Sequence, residues 1–173
     1  MESFTSALTG WIDHLLRTFS ALDVFCVLAA FVAIRVCRHA GMWIYALVAL
    51  PGTFAHELAH FVVALILGAK PTFPSLVPVR TEHGWRLGSV AFRAGHLRAL
   101  PIAIAPLALF PLALWWADAF MHSAPPALYW LHVWIVAALL TASLPSKADL
   151  KLAWPALIVL LALAVALIIW LQR

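Results

Sequence analysis

Long apolar runs, separated by short polar or proline-containing breaks, organise most of this chain. Their length and continuity predict membrane-spanning helices rather than buried helices of a soluble core. There are five such runs, at about residues 22–36, 42–68, 100–120, 127–144 and 152–170. Residues 1–18 differ, because their apolar side chains fall near one stripe against Asp13, His14 and Arg17, which predicts an amphipathic helix at the membrane surface.

The segment 70–98 interrupts this pattern with prolines, glycines and five basic residues, which exclude a span. Two pieces of alternating character, Leu76–Thr81 and Trp85–Phe92, flank the turn sequence Glu82-His83-Gly84. Alternation on both sides of a glycine-containing turn predicts a β-hairpin, and a solvated loop is the alternative.

Composition places the whole chain in the membrane. Of its 173 residues, 65% are hydrophobic and 10% are charged, and the mean hydropathy is +1.01. A soluble domain of this size cannot bury so much apolar surface. We therefore expect a single domain, residues 1–173, that is an all-α membrane protein with about five transmembrane helices and a small β-hairpin on the cytoplasmic side. We expect the lipid bilayer to be one of its partners.

The net charge of +4 reflects membrane topology rather than nucleic-acid binding, because the basic residues stand at the ends of the apolar runs. With five alternating spans, eight of the eleven Lys and Arg residues fall on the side of the N-terminus. The positive-inside rule then predicts a multi-pass protein of the cell inner membrane whose N-terminus, hairpin and 145–151 turn are cytoplasmic.

The second run contains the sequence His56-Glu57-Leu58-Ala59-His60, an HExxH motif. Residues four apart lie on one face of a helix, so His56 and His60 can offer two imidazoles to one zinc ion. Glu57 stands beside them as a general base that activates water. Ionisable residues inside a span are costly, which favours a functional explanation. Topology places the two histidines in the cytoplasmic half of the bilayer.

A catalytic zinc ion usually takes three protein ligands, so a third is needed. Depth disfavours four residues towards the opposite end of their spans: His39, Asp118, His122 and His132. Five remain on the predicted side: His14, Asp23, His83, His96 and Asp149. Asp149 is best placed, because it follows the helix break at Pro145, and Asp23 is its main competitor.

Two motifs resemble those of the site-2 protease family of intramembrane zinc metalloproteases. His56-Glu57-Leu58-Ala59-His60-Phe61-Val62-Val63-Ala64 is similar to the family's HExxHxxxA helix, and Pro145-Ser146-Lys147-Ala148-Asp149 resembles a Pro-Ser-x-x-Asp form of its second motif. The resemblance covers a three-helix core at about residues 42–150. It implies one Zn²⁺ held by His56, His60 and Asp149, with Glu57 as the catalytic base.

The same resemblance implies an intramembrane endopeptidase that cleaves a transmembrane segment of a membrane protein substrate, as in regulated intramembrane proteolysis. Many family members carry an Asn-Pro-Asp-Gly second motif, whereas this chain has no asparagine. We therefore expect Ser143, Ser146 or backbone groups to bind the substrate in its place. The alternative function is a non-catalytic zinc-binding scaffold or regulatory partner, and a structural site has no need of Glu57.

Overall fold

A computed structural model describes residues 6, 9–11, 13, 14, 17–81 and 84–171. The amphipathic helix expected over residues 1–18 lies largely outside these residues, although those of its positions that are described up to Thr18 are helical. The expected helical architecture is confirmed. Within the described residues from Ala21 onwards, seven α-helices follow one another: α1 Ala21–Ala40, α2 Met42–Val48, α3 Leu50–Ile66, α4 His96–Ile104, α5 Leu109–Trp116, α6 Pro126–Ala142 and α7 Lys147–Leu171.

Two of these helical stretches are long and apolar enough to cross a membrane. One is Leu97–Met121, in which a 3₁₀ turn at Ala105–Ala108 joins α4 to α5 and a π-helical turn follows α5; the other is α7. The bent pair α2 and α3 makes a third if it counts as one span. Five spans are thus not confirmed. Helix α6 has 17 residues, and α1, with 20, carries Asp23, Arg35 and Arg38 near its ends.

The predicted second span is broken. Helices α2 and α3 meet at Ala49 with a bend of 73°. Pro51 lies in the first turn of α3, where its fixed φ suits a helix start and its missing N–H leaves no bond unmade. The break therefore falls just before Pro51. The HExxH motif lies on the second half-helix.

Helices α1 and α6 lie side by side and run in the same direction. Near their starts, the Tyr129 hydroxyl donates to Asp23 Oδ1 at 2.7 Å. Farther along, Ile34 packs with Ala137 and Ala138. In a chain of five alternating spans these two helices would be antiparallel. The structure therefore corrects the predicted arrangement: the start of α1 lies at the opposite end of α6 from Ala142.

The expected β-hairpin is present and shorter than predicted. Strands β1, Val79–Thr81, and β2, Gly84–Arg86, pair antiparallel. Three further backbone contacts continue the pairing away from the turn: Ser75 with Ser89, Thr72 with Ala91, and Ala69 with Arg93. Residues 69–81 and 84–93 thus form the two arms of one extended ribbon, and the second arm passes back across α3.

Helices α3 and α6 are in close backbone contact at Gly52. A Cβ added there would overlap the carbonyl oxygen of Ala138 and lie 3.0 Å from the Ala142 side chain. A glycine at this contact lets the two backbones touch, as small residues do between membrane helices. The contact holds the start of the HExxH helix against the end of α6.

Gly52→Ala is expected to lower the stability of the protein by about 1–3 kcal/mol, because the helices must separate to admit a methyl group. The measurement is the thermal unfolding midpoint of the purified protein in detergent. Gly95→Ala is the matched control, since a Cβ at Gly95 meets nothing within 4 Å. Equal midpoints for the two variants would contradict this account of the contact.

Candidate metal centre

The two histidines of the HExxH motif lie on the face of α3 that meets α6 and α4. His56 Nδ1 is 2.7 Å from the carbonyl oxygen of Ala142, and His60 Nδ1 is 2.7 Å from that of Ile102. A carbonyl oxygen can only accept, so each Nδ1 carries the proton and donates it. Each neutral ring then presents the lone pair of Nε2. Fixing the tautomer through a backbone carbonyl is a common way of preparing histidine to bind a metal ion.

The two Nε2 atoms lie close to each other and to the carboxylate of Asp149. The Nε2 atoms are 3.1 Å apart. Asp149 Oδ2 lies 3.4 Å from Nε2 of His56, and Oδ1 lies 3.2 Å from Nε2 of His60. One ligand atom from each of the three residues falls within 4.8 Å of the others, so this group can hold a metal ion. With both Nδ1 protons donated elsewhere, a cation bound between the two Nε2 atoms would offset the repulsion between their lone pairs.

Asp149 reaches this position from the first turn of α7. Ser146 N–H donates to Asp149 Oδ2 at 2.6 Å, and Asp149 N–H donates to the Ser146 hydroxyl at 3.3 Å. These reciprocal bonds form a capping box, which starts the helix at Lys147. The sequence had placed Asp149 in irregular backbone before a span beginning at about residue 152. The cap instead extends the helix backwards and orients the carboxylate towards the histidines.

Glu57 lies in the same turn of α3 and is 8% exposed. The second arm of the ribbon covers it: a Cβ added to Gly88 would lie 2.6 Å from Glu57 Oε1 and 2.7 Å from Cγ. Within the part of the chain that the structure describes, no hydrogen-bond donor contacts its carboxylate. The oxygens are therefore sheltered and free to accept a proton from a water molecule.

The competing ligand Asp23 is placed elsewhere. It is 5% exposed and accepts hydrogen bonds from Ser20, through backbone and hydroxyl, and from Tyr129, with His122 Nε2 3.6 Å away. Tyr129 and Ala142 are 13 residues apart on α6, or about 20 Å along the helix axis at 1.5 Å per residue. Asp23 therefore joins α1 to α6 at the end of the bundle far from the three-residue group.

The other candidates that the structure describes also lie away from the three-residue group. His14 contacts Asp118 at 3.0 Å, and His132 accepts from the Trp116 indole at 3.2 Å. His39 is exposed near the end of α1. His83 and the side chain of His96 lie outside what the structure describes.

The two serines expected to bind substrate have partners within the chain. Ser143 is 4% exposed, and its hydroxyl donates to the Leu140 carbonyl at 2.8 Å. Ser146 caps α7, as described above. Both hydroxyls keep acceptor capacity beyond these bonds. Both serines lie in the turn between α6 and α7, next to Ala142.

Comparison of the chain with protein-family models, with curated proteins and with solved structures finds no match. The functional assignment consequently depends on the site geometry and on the two sequence motifs.

Proposed function

We propose that this protein is an intramembrane zinc endopeptidase of the site-2 protease type, which hydrolyses a peptide bond in a membrane-spanning segment of another protein. The observation that carries the proposal is that His56, His60 and Asp149 lie close enough together to hold one metal ion. Buried Glu57 lies beside them, and no hydrogen-bond donor of the described residues contacts its carboxylate. Two imidazoles and one carboxylate are the ligand set of a catalytic zinc site that keeps one position open.

The donor set fits zinc by the chemistry of its atoms. Neutral imidazole nitrogens favour zinc and other transition metals over Mg²⁺ or Ca²⁺, which prefer oxygen ligands. Ala142 and Ile102 would hold the rings through their carbonyl groups, and Ser146 would hold the carboxylate. Zinc bound here would supply a Lewis acid that polarises the scissile carbonyl and acidifies water.

Glu57 has the position of a general base in this reaction. Its carboxylate would accept a proton from the attacking water and pass it to the leaving amide nitrogen as the C–N bond breaks. The hydroxyl group ends on the carbonyl carbon, which gives a carboxylic acid and an amine. Burial next to Gly88 keeps bulk water from competing for this proton.

The substrate segment must be unwound before its carbonyl can reach Glu57, because a helix hides its carbonyls in its own hydrogen bonds. The second arm of the ribbon crosses the site at Gly88 and offers backbone groups for pairing with an extended chain. The acceptor lone pairs of Ser143 and Ser146 lie next to the site and would help to bind the substrate backbone.

The alternative is a metal-binding scaffold without catalytic activity. A purely structural zinc site closes with a fourth protein ligand. Among the described residues, the group consists of two histidines and one aspartate. Retention of a sheltered glutamate beside an incomplete ligand set favours the enzyme.

Removal and return of the metal tests the proposal. Purified protein, reconstituted with a model single-span protein whose span contains helix-destabilising residues, is expected to cleave that span and to lose cleavage on treatment with a zinc chelator. Adding one equivalent of zinc should restore it. Cleavage that persists in metal-free protein would contradict the proposal, and metal binding with no cleavage would favour the scaffold.

Gly88→Ala is expected to lower kcat by about a hundredfold, because a misplacement of about 1 Å at a catalytic group has a cost of that order. The new methyl group would take the space of the Glu57 carboxylate and turn it away from the metal ligands. Zinc content should equal that of wild type, since no ligand is touched. Gly95→Ala serves again as the control, and wild-type kcat in Gly88→Ala would contradict this role for Gly88.

A further inference from the structure

Most of the cationic side chains lie around one end of the helix bundle, the end that holds the metal centre. They stand on the second half of α1, the ribbon, and the first turns of α4 and α7, and all of them are exposed. This basic end comprises nine of the eleven Lys and Arg residues: Arg35, Arg38, Lys70, Arg80, Arg86, Arg93, Arg98, Lys147 and Lys151.

In the described structure, none of these cations lies within ion-pair distance of a carboxylate, and Arg86 acts on Glu57 only at longer range. Every ion pair found there joins a histidine to an aspartate. The acidic groups described at the basic end, Glu57 and Asp149, are buried or partly buried in the metal centre. The described surface at this end therefore carries an excess of positive charge, which attracts an anionic partner.

Large apolar side chains are exposed among the same cations. On the ribbon, Phe73 is 80% exposed, Val77 63% and Trp85 45%. Apolar side chains next to cations are typical of segments that lie at the level of lipid headgroups, with the apolar groups dipping into the acyl chains. A small soluble anion has no apolar surface to cover these side chains, whereas a lipid leaflet has.

The other end of the bundle has the opposite character. It contains the hydrogen bond between Tyr129 and Asp23 and the contact between His14 and Asp118. Among the described residues, Arg17 is the one Lys or Arg at this end. The parallel arrangement of α1 and α6 puts the start of α1 at this end, together with the α5–α6 loop.

We propose that the basic end binds the headgroups of anionic phospholipids and so faces the cytoplasmic leaflet, with the start of α1 on the opposite face of the membrane. The bent pair α2 and α3 then enters and leaves the bilayer through the cytoplasmic face. Helices α1, α4 with α5, α6 and α7 make four crossings, which reverses the N-terminal side expected from the sequence. This inference is independent of proteolysis, and its tests do not use activity.

Cysteine labelling in cells tests the topology. In a Cys26→Ala/Cys37→Ala background, single cysteines are introduced as Asp13→Cys, Ser123→Cys or Val77→Cys, each at an exposed position. A membrane-impermeant maleimide should label the first two from outside and Val77→Cys only after lysis. Labelling of Asp13→Cys only after lysis would restore five alternating spans and overturn the proposal. Labelling of Val77→Cys from outside would overturn it as well.

Lipid titration tests the partner. Delipidated protein in detergent is titrated with phosphatidylglycerol or with phosphatidylcholine and followed by native mass spectrometry. Phosphatidylglycerol should bind more tightly, and the triple variant Arg80→Gln/Arg93→Gln/Arg98→Gln should weaken it by about fivefold for each cation removed. Arg17→Gln is the control from the other end and should match wild type. The proposal would be overturned if the protein bound the two lipids equally, or if the triple variant bound phosphatidylglycerol as tightly as wild type does. The unfolding midpoint of each variant shows whether it is folded.

Discussion

Glu57→Gln is expected to lower kcat for cleavage of a membrane-spanning substrate by about 10²–10⁴-fold, the usual contribution of a general acid–base group. The amide has nearly the same shape as the carboxylate and fits the space beside Gly88, but it cannot accept the proton of the attacking water. The metal ligands are untouched, so zinc content should stay at the wild-type level. Cleavage rate and bound zinc are measured on the same preparation.

Glu82→Gln, a substitution of the glutamate that follows β1 in the sequence, is the matched control and should behave like wild type. Full activity in Glu57→Gln would contradict the role given to Glu57 and, with it, the peptidase. Loss of zinc together with activity would instead mean that the carboxylate supports the metal ligands.

Asp149→Ala is expected to weaken zinc binding by more than about a hundredfold. Substitution of a group that only orients a metal ligand already lowers metal affinity by about 10–100-fold. The substitution also removes the acceptor for Ser146 N–H and so weakens the capping box of α7. Asp149→Asn separates the two effects, since its amide oxygen can still accept that bond while the charge is lost. Zinc affinity is measured by competition with a chromophoric chelator.

Asp23→Ala is the counterpart at the other end of the bundle. It should bind zinc as wild type does and unfold at a lower temperature, because Tyr129 would lose the acceptor of a partly buried hydrogen bond. Zinc loss in Asp23→Ala but not in Asp149→Ala would overturn the ligand assignment.

The grouping of the three possible metal ligands follows closely from the sequence. Helical spacing alone puts His56 and His60 on one face, and the break at Pro145 correctly indicated that Asp149 could turn back towards them. Both conclusions depend on local rules. The capping residues Ser146 and Asp149 also obey a local rule, and recognising them would have started α7 at Lys147.

The arrangement of helices does not follow from sequence in the same way. Hydropathy detects apolar segments but not their direction, so the side of each loop was set by counting alternating spans. The bend at Ala49 breaks that count, and Asp23 consequently moves to the far end from the site. Close backbone contacts carry little sequence signal: nothing at Ala142 or Ile102 indicates that its carbonyl holds a histidine ring, and Gly88 is one of seven glycines.

X-ray absorption at the zinc edge of the purified wild-type protein tests the metal centre most directly. The geometry predicts one zinc ion per chain with two imidazole nitrogens at about 2.0–2.1 Å and carboxylate or water oxygens at about 2.0–2.2 Å. Sulfur scatterers at about 2.3 Å, from Cys26 or Cys37, or a protein that binds no zinc, would contradict the site formed by His56, His60 and Asp149.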